Sequence, residues 1–349
     1  MRLLIITQKV DEKDSILGFF HDWLIELSKH QDKIVVLCLE KGSYDLPENI
    51  SVHSLGKERG ISKIGILFNF YKFILSRRKK YDKVFVHMNP VYIVLGGLIW
   101  KFFLGKDIFL WYTHKSVDWK LRIAEKFSKK IFTASKESFR LKSDKLLVTG
   151  HGININVFKP DYIKKKHPDL KTLFVGRISK TKDLGVCIKA LKILHDLRIP
   201  AKLTVVGGLA SKEDAHYEKE MLDLVSKKDL GDMVYFVGPI SNKESVKYFQ
   251  ETDVLVHASN TGSLDKVILE SMACGTPVVS SNDAAIPIVS KFNSNSVFEK
   301  GDYKELAEKL EYFYRLKNDM YNLQEQVRSE VVLKHDLSNL ISRLSNEIK

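Results

Sequence analysis

The clearest evidence for the fold lies in residues 253–280, which read DVLVHASNTGSLDKVILESMACGTPVVS. Val254–Ala258 is short, apolar and rich in β-branched residues, as a buried strand is. A polar turn follows, and then a helical pattern over Leu264–Cys274, which Gly275 and Pro277 end. Two valines open the next strand. In an open parallel sheet, this order of elements places the polar turn at the carboxyl edge, where ligands bind.

Glu270 needs an explanation, because its neighbours on the predicted helix form a broad apolar arc and a buried carboxylate needs a partner. Lys266, four residues earlier, could be that partner, although the order is the less favourable one for such a pair. Alternatively, the carboxylate accepts hydrogen bonds from ligand hydroxyls, as acidic residues do for ribose in other α/β folds. Both interpretations follow from the pattern.

The size and composition of the chain are those of a globular protein with two domains. It has 349 residues, of which 44% are hydrophobic and 28% charged. Cys38, Cys187 and Cys274 lie far apart in apolar segments, which predicts reduced core thiols and neither a disulfide framework nor a metal-ligand cluster. The first residues resemble a strand rather than a signal peptide. The apolar run Val91–Leu104 contains Lys101 and is too short to span a bilayer, so we predict no transmembrane segment. The reduced thiols predict a cytoplasmic protein.

The net charge of +13 favours an anionic partner. Basic runs occur at 77–80, 129–130 and 164–166. Ile61–Leu75 carries apolar residues at helical spacing directly before the first run, which is typical of a helix on an anionic membrane surface. A core-packed helix whose terminal cations complement its dipole has the same pattern. No DNA- or RNA-binding signature accompanies the charge, so we predict no nucleic-acid partner.

Strands and helices alternate through both halves of the chain, which predicts parallel sheets covered on both faces. We expect an α/β fold with two doubly wound, Rossmann-like domains that face each other across a cleft. The predicted domains are 1–153 on the acceptor side and 171–330 on the donor side, joined by a polar linker at 154–170. We expect the C-terminal helix, at about 330–349, to pack back on the first domain.

The expected elements of the two halves are as follows. Strands are predicted at 2–7, 33–39, 84–87, 107–113, 130–133, 145–149, 172–175, 202–206, 233–237, 254–258 and 277–280. Helices are predicted at 18–27, 61–75, 91–103, 184–195, 217–227, 243–252, 264–274, 304–315 and 320–348, and residues 8–17 are expected to form a polar loop.

Two cations lie in the loop after strand 172–175. Arg177 and Lys182 present a guanidinium and an ammonium group at the carboxyl edge, which suits a diphosphate, although basic surface loops are also common. Gly208 and the turn that ends at Ile240 follow later strands, where a missing side chain lets backbone amides meet a ligand. Tight turn geometry explains these glycines equally well. The chain has no Gly-x-Gly-x-x-Gly dinucleotide fingerprint.

In the first half, His114 ends a strand and could hydrogen-bond a sugar or a phosphate, although a lone histidine is more often structural. Gly18 stands at a helix start just after the first strand, where amides can meet an anion. Four residues of the same loop region could act as base toward an acceptor hydroxyl: Asp11, Asp14, His21 and Asp22.

Two motifs together resemble the family-four retaining glycosyltransferases of the GT-B fold. These motifs are Gly176-Arg177 with Lys182, and ESMACGTPVV from Glu270 to Val279. The resemblance covers nearly the whole chain and is most specific between residues 172 and 282.

The resemblance implies roles for individual residues. Arg177 and Lys182 would hold the donor diphosphate, Glu270 the nucleotide ribose and His114 the donor sugar, while Gly18 is the nearest match to a glycine that approaches the phosphates. Further candidates for donor binding are Gly208, Ile240, Gly262, Leu264, Asp265 and Lys266. We predict no metal ligands, because the cations already oppose the diphosphate and the chain has no Asp-x-Asp.

One position departs from the family pattern. The family usually has a second glutamate eight positions before the first, where it contacts the donor sugar, and Gly262 stands at that position here. Asp265 could substitute for it, or Lys266 could alter what the loop recognises. Because the missing glutamate would contact the donor sugar, its replacement by Gly262 affects which sugar is expected and whether the protein is expected to be active.

The resemblance predicts a retaining glycosyltransferase that moves a sugar from a UDP- or GDP-sugar to a hydroxyl of a glycan or lipid-linked acceptor. Such an enzyme would act in cell-envelope polysaccharide or glycoconjugate synthesis, without a cofactor or metal, in the cytoplasm or peripherally at the cytoplasmic membrane face. Gly262 motivates the alternative of a non-catalytic, glycosyltransferase-like subunit that binds a nucleotide sugar or a partner chain. A nucleotide-sugar epimerase is a third hypothesis, and a nicotinamide dehydrogenase ranks lower for want of the glycine fingerprint.

Overall fold

Both halves of the chain form α/β units, which a computed structural model describes for residues 1–161, 167–209 and 211–349. Unit 1 comprises Met1–Gly152 and Leu337–Lys349, and unit 2 comprises Ile153–Asp336. The basic run 164–166, inside the predicted linker, lies outside the described residues. Each unit is built on one parallel sheet, so the predicted α/β class with parallel sheets is confirmed.

The sheet of unit 1 has seven strands in the order β3-β2-β1-β4-β5-β6-β7. The strands are β1 (Arg2–Val10), β2 (Lys33–Lys41), β3 (Ile50–Ser54), β4 (Lys83–His87), β5 (Ile108–Trp111), β6 (Lys130–Thr133) and β7 (Leu146–Val148). The order reverses between β1 and β4. The carboxyl ends of these two strands therefore form the crevice in which open α/β sheets bind ligands.

Helices cover both faces of this sheet. They are α1 (Phe19–Ser28), α2 (Lys63–Ser76), α3 (Val91–Leu98), which continues as a π-helix over Ile99–Phe103, and α4 (Trp119–Phe127). One core contains Phe20, Trp23 and Leu24 of α1, and the opposite core contains Phe70 and Ile74 of α2. Within the described ranges, no helix is both long and apolar enough to cross a membrane.

The sheet of unit 2 has five strands in the order β10-β9-β8-β11-β12, with its reversal between β8 and β11. The strands are β8 (Leu170–Val175), β9 (Ala201–Val206), β10 (Val234–Gly238), β11 (Val254–His257) and β12 (Val278–Ser280). The helices are α5 (Leu184–Asp196), α6 (Lys212–Lys227), α7 (Val246–Gln250), α8 (Lys266–Ala273), α9 (Ile286–Val289), α10 (Tyr303–Leu316) and α11 (Tyr321–Lys334).

The C-terminal helix α12 (Leu337–Ile348) belongs to unit 1. Its apolar residues recur at helical spacing and are buried in the same core as α1: Leu337, Leu340, Ile341, Leu344 and Ile348. The prediction of one helical segment over 320–348 is wrong. The chain breaks at His335, whose carbonyl accepts a hydrogen bond of 2.7 Å from the amide of Ile153, and α11 and α12 lie in different units.

Other sequence predictions also need correction. β1 extends to Val10 and so includes three residues of the predicted polar loop 8–17, because its partner β2 continues as far as Lys41 and pairs with it. β3 and α4 were missed. Every residue of β3 is only partly buried, and in α4 only Leu121 and Ala124 are buried, so neither segment has a strong apolar period.

Candidate functional site

Two loops of unit 2 lie side by side at the switch point, because β8 and β11 are neighbours in the sheet. The first loop follows β8 and ends at Asp183, and the second follows β11 and contains Asn260. The amide of Asn260 donates a hydrogen bond of 2.9 Å to the carbonyl of Thr181, and its side chain donates to the Asp183 carboxylate. The loop of the predicted phosphate-binding cations is thereby joined to the loop that precedes Glu270.

An ion pair connects the same two loops. Nζ of Lys182 donates a hydrogen bond to Oδ2 of Asp265 and lies 3.2 Å from Oγ of Ser259. Nε2 of His257 lies 2.8 Å from the same Oδ2, and Nδ1 of His257 lies 3.1 Å from Oγ of Ser280. The structure therefore brings together two predicted site residues, Lys182 and Asp265, and adds His257, which sequence reasoning missed.

These contacts set the charge of Asp265. Burial alone would raise the pKa of this carboxyl, but the hydrogen bond from His257 and the charges of His257 and Lys182 outweigh it. The pKa of Asp265 therefore lies well below its ordinary range, and the group is ionised at neutral pH. Both contacts use Oδ2, and among the described residues Oδ1 has no hydrogen-bond partner, so this oxygen can accept from a ligand.

Glu270 is 5% exposed on α8. Its Oε1 accepts a hydrogen bond of 3.0 Å from Nδ2 of Asn242 and lies 3.5 Å from Nζ of Lys266. The salt-bridge interpretation of the sequence is therefore correct for one oxygen. Oε2 has no partner in the described parts of the chain and remains able to accept from ligand hydroxyls.

The remaining predicted cation is Arg177, which is exposed and makes no ion pair with any described residue. Nearby, the tight approach that demands glycine lies at Gly207 rather than Gly208. A Cβ on Gly207 would lie 1.8 Å from the carbonyl oxygen of Gly176. The carbonyl of Gly208 accepts a hydrogen bond of 3.1 Å from the amide of Ile178. These glycines pack the ends of β8 and β9 against each other, as the turn interpretation expects.

Gly262, which stands where the family usually has a glutamate, has a backbone conformation that favours glycine. Gly262 is buried and has a φ of +70°, in the left-handed region that favours glycine. A glutamate at this position would be strained in the present backbone. Two other predicted residues, Leu264 and Ile240, direct their side chains into or against the hydrophobic core, so any ligand contact from them would come through the backbone.

In unit 1, the predicted residues near the end of β1 are largely engaged with each other. The amide of Gly18 donates to the carbonyl of Asp14 at 3.0 Å, and is therefore not directed at a ligand. Lys9 lies 2.8 Å from Asp14 and 3.4 Å from Asp11. Burial opposes ionisation of Asp14, but Lys9 and the backbone amides it accepts from lower its pKa, which makes it a weak base.

Three histidines of unit 1 have different surroundings. Nε2 of His21 accepts a hydrogen bond of 3.2 Å from the amide of Asp45, so this nitrogen is not free to act as a base; Asp22 lies beside His21. His114 follows β5 and is exposed, yet partial burial of its imidazole lowers its pKa. His87 ends β4 at the switch point, where it stacks on Phe20 with ring centroids 4.0 Å apart. Sequence reasoning did not single out His87, although its position at the end of a strand was evident.

No cluster of three or more His, Cys, Asp or Glu side chains suited to a metal ion occurs in 1–161, 167–209 or 211–349.

The sequence was compared with curated proteins and family models. Residues 158–330 match the family model "Glycosyl transferases group 1". A D-inositol 3-phosphate glycosyltransferase of Paenarthrobacter aurescens is 32% identical over 148 residues, which cover 40% of this chain and 35% of that protein. The amylovoran biosynthesis glycosyltransferase AmsK of Erwinia amylovora is 30% identical over 172 residues, which cover 47% of this chain and 41% of that protein. The matched region thus spans less than half the length of these relatives.

Solved structures resemble the whole chain. Anabaena Alr3699/HepE, solved in complex with UDP, superposes with a TM-score of 0.79 at 17% identity and covers 100% of this chain and 99% of its own. Sucrose-phosphate synthase from Thermosynechococcus elongatus also has a TM-score of 0.79, at 15% identity, over 99% of this chain and 98% of its own. At such identities the likeness shows the fold. Residues 158–330 therefore belong to the group 1 glycosyltransferases, and the fold of the chain is GT-B.

Proposed function

We propose that the protein is a retaining glycosyltransferase that moves a sugar from a nucleotide-diphosphate donor to a hydroxyl of a glycan or lipid-linked acceptor. The observation that carries this proposal is the joined pair of loops in unit 2, which holds Lys182, Asp265 and Glu270 at one sheet edge. Relatives named for amylovoran and capsular polysaccharide biosynthesis support a role in polysaccharide synthesis. HepE was solved with UDP and with UDP-glucose, which supports a uridine nucleotide as the first donor to test.

Glu270 would bind the nucleotide ribose. One carboxylate oxygen is held by Asn242 and Lys266, which orients the group, and the other is left for the ribose hydroxyls. A buried carboxylate is costly unless it is hydrogen-bonded, and ribose hydroxyls would donate to its second oxygen. Ribose recognition by an acidic residue at a switch point is common in α/β folds.

Arg177 and Lys182 would oppose the charge of the departing diphosphate. Fixed cations at the place where negative charge develops lower the barrier most effectively, because they need no reorganisation during the reaction. We infer that these cations make a metal unnecessary. Lys182 is already oriented by Asp265, whereas Arg177 is exposed and can turn toward a phosphate. His114 would hydrogen-bond the sugar or a phosphate, and the partial burial that lowers its pKa favours the neutral imidazole.

Asp265 would take the place of the glutamate that Gly262 replaces. Lys182 and His257 hold one of its oxygens, and Oδ1 would accept a hydrogen bond from a hydroxyl of the donor sugar. Departure of the diphosphate from the same face that the acceptor enters would retain the anomeric configuration. Gly262 also favours a second candidate, a non-catalytic subunit that binds the nucleotide sugar.

Thermal unfolding with UDP, GDP and their sugars tests the proposal. A ligand that binds only the native state raises the melting temperature. At a ligand concentration one hundred times Kd, it adds about 2.7 kcal/mol to the free energy of unfolding. We expect a rise with one nucleotide series that Glu270→Ala and Arg177→Ala abolish. Glu308→Ala and Arg140→Ala, at exposed positions elsewhere, serve as matched controls.

Absence of any rise, or a rise that all four variants retain, would contradict the proposed donor site. A rise without release of nucleoside diphosphate over time, in the presence of acceptor glycans or lipids, would favour the binding subunit instead.

A further inference from the structure

Helix α2 has two apolar stripes, and only one of them is buried. Phe70 and Ile74 point into the core of unit 1. Ile64 and Phe68 lie on another side of the helix and are 82% and 65% exposed. Packing against the core therefore explains one stripe and leaves the other unexplained. Leu67 and Leu75, also exposed, extend the second stripe along the helix.

The end of α3 and the π-helix that follows it also present exposed apolar side chains. Leu98 is 55% exposed, and Phe102 and Phe103 of the π-helix are 68% and 81% exposed. Large apolar residues scattered singly over a surface are ordinary, whereas a contiguous group marks an interaction site.

The two exposed stripes adjoin. Oη of Tyr71 on α2 donates a hydrogen bond of 3.2 Å to the carbonyl of Leu95 on α3. Phe68 and Leu75 stand three residues before and four after Tyr71 on α2, and Leu98 stands three after Leu95 on α3, so these side chains lie beside this contact. Phe102, one turn further in the π-helix, also meets Phe127 of α4, with ring centroids 6.3 Å apart. We call the surface formed by Ile64, Leu67, Phe68, Leu75, Leu98, Phe102 and Phe103 the α2–α3 face.

Positive charge surrounds this face. Residues 61–106 contain nine lysines and arginines but one acidic residue, Asp82, and that carboxylate is paired with Arg2. All four cations of 77–80, at the end of α2, are exposed, as are Lys63 and Lys72 on α2 and Lys101 on the π-helix. This stretch accounts for most of the net charge of +13.

We propose that the α2–α3 face docks on an anionic lipid bilayer. Exposed phenylalanines and leucines insert at the level of the lipid headgroups, and flanking lysines and arginines are attracted to anionic lipids. A second copy of this chain would bring one strongly cationic face against another, which like-charge repulsion opposes. A nucleic acid would satisfy the cations but not the aromatic side chains, which have no base-binding motif beside them.

This inference deepens the proposed function by naming the surface on which a lipid-linked acceptor would be met. Its test does not use sugar transfer. If a protein fails to bind membranes but is still stabilised by nucleotides, only the docking proposal fails. If it binds membranes but is not stabilised by nucleotides, only the proposed donor site fails.

The test is flotation of the full-length protein with phosphatidylcholine vesicles, with and without phosphatidylglycerol. We expect binding only to the anionic vesicles, and release as salt shortens the Debye length from roughly 10 Å at 0.1 M to roughly 3 Å at 1 M. The double variant Phe68→Ser/Phe102→Ser should lower the partition coefficient at least tenfold, and Arg77→Glu/Arg78→Glu should do the same. Two double variants in unit 2 at exposed positions, Tyr321→Ser/Leu333→Ser and Lys219→Glu/Lys227→Glu, should bind as the wild type does.

Three results would overturn the proposal. The first is equal or absent binding to both kinds of vesicle. The second is an equal loss of binding in the control variants. The third is a dimer in sedimentation velocity without lipid that Phe68→Ser/Phe102→Ser dissociates, since the partner would then be a second copy.

Discussion

Nε2 of His257 lies 2.8 Å from Oδ2 of Asp265, and the same oxygen accepts a hydrogen bond from Nζ of Lys182. His257 at the end of β11 and Lys182 in the loop after β8 thus both contact one carboxylate oxygen of Asp265, at the start of α8. The arrangement holds the predicted phosphate-binding lysine in place.

Asp265→Asn should destabilise the protein in a pH-dependent way. Since folding lowers the pKa of Asp265, its contribution is fully present above the unfolded value of about 3.9 and is lost as the pH falls toward the folded value. Urea unfolding should show a loss of about 1.5–3 kcal/mol near pH 7, as for hydrogen bonds to charged groups. The difference from the wild type should narrow below about pH 4. A difference that stays constant into strong acid, or that the exposed control Asp232→Asn reproduces, would contradict this assignment.

Gly262→Glu should not restore the family pattern but should destabilise unit 2. The φ of +70° is costly for a residue with a side chain, by about 1–3 kcal/mol. Gly262→Asn should cost less, since asparagine tolerates this region better. Gly231→Glu is the matched control, at an exposed glycine where an added Cβ meets nothing within 4 Å. Equal melting temperatures for the two glutamate variants would show that the loop relaxes to accept the side chain.

The three cysteines should resist thiol reagents in the native protein. All are buried, and burial raises the pKa of Cys38 to about 12 and that of Cys187 further still. The thiolate is the reactive form, so both burial and pKa suppress the reaction. Titration with Ellman's reagent should release colour only after addition of guanidinium chloride. Rapid modification of a single cysteine in native buffer would indicate local opening around it.

Leu340→Ala should loosen unit 1 and leave unit 2 unchanged. Leu340 is 1% exposed in the core shared by α1 and α12, where such truncations cost about 2–5 kcal/mol. Amide hydrogen exchange should accelerate in β1 and α1, while β8 and β11 keep their protection. Leu333→Ala, at a side chain that is 74% exposed, serves as the control. Uniform acceleration in both units would show that the units unfold together.

Many of the strands and helices could be predicted from the spacing of apolar residues and from the turn residues between them. β6 runs from Lys130 to Thr133 as predicted, and α5 begins at Leu184 as predicted, because each element carries a strong apolar pattern and a clear boundary. β3 was not predicted because its five residues are all only partly buried and include just two apolar side chains, Ile50 and Val52. The π-helix after Leu98 was not predicted because its residues continue the apolar pattern of α3, and only backbone hydrogen bonding distinguishes the two.

The charged residues of the site could be predicted from the sequence, but the side chains that contact them could not. Lys182 and Asp265 stand in separate loops, 83 positions apart, and only strand order brings them together. Asn242, which holds Glu270, comes from a third loop, and no local signal marks it. His257 reads as an interruption of an apolar strand; its position at the strand end could have suggested a role in the site.

The placement of α12 also bears on how the chain acquires its structure during synthesis. Unit 1 takes in Leu337–Lys349, so its core lacks Leu340 and Leu344 until the ribosome has made all of unit 2. Domains usually fold in order from the N-terminus, but here the first unit must wait for the last residues. Until then α1 exposes the apolar side chains that α12 later covers, so unit 1 is still incomplete when unit 2 leaves the ribosome.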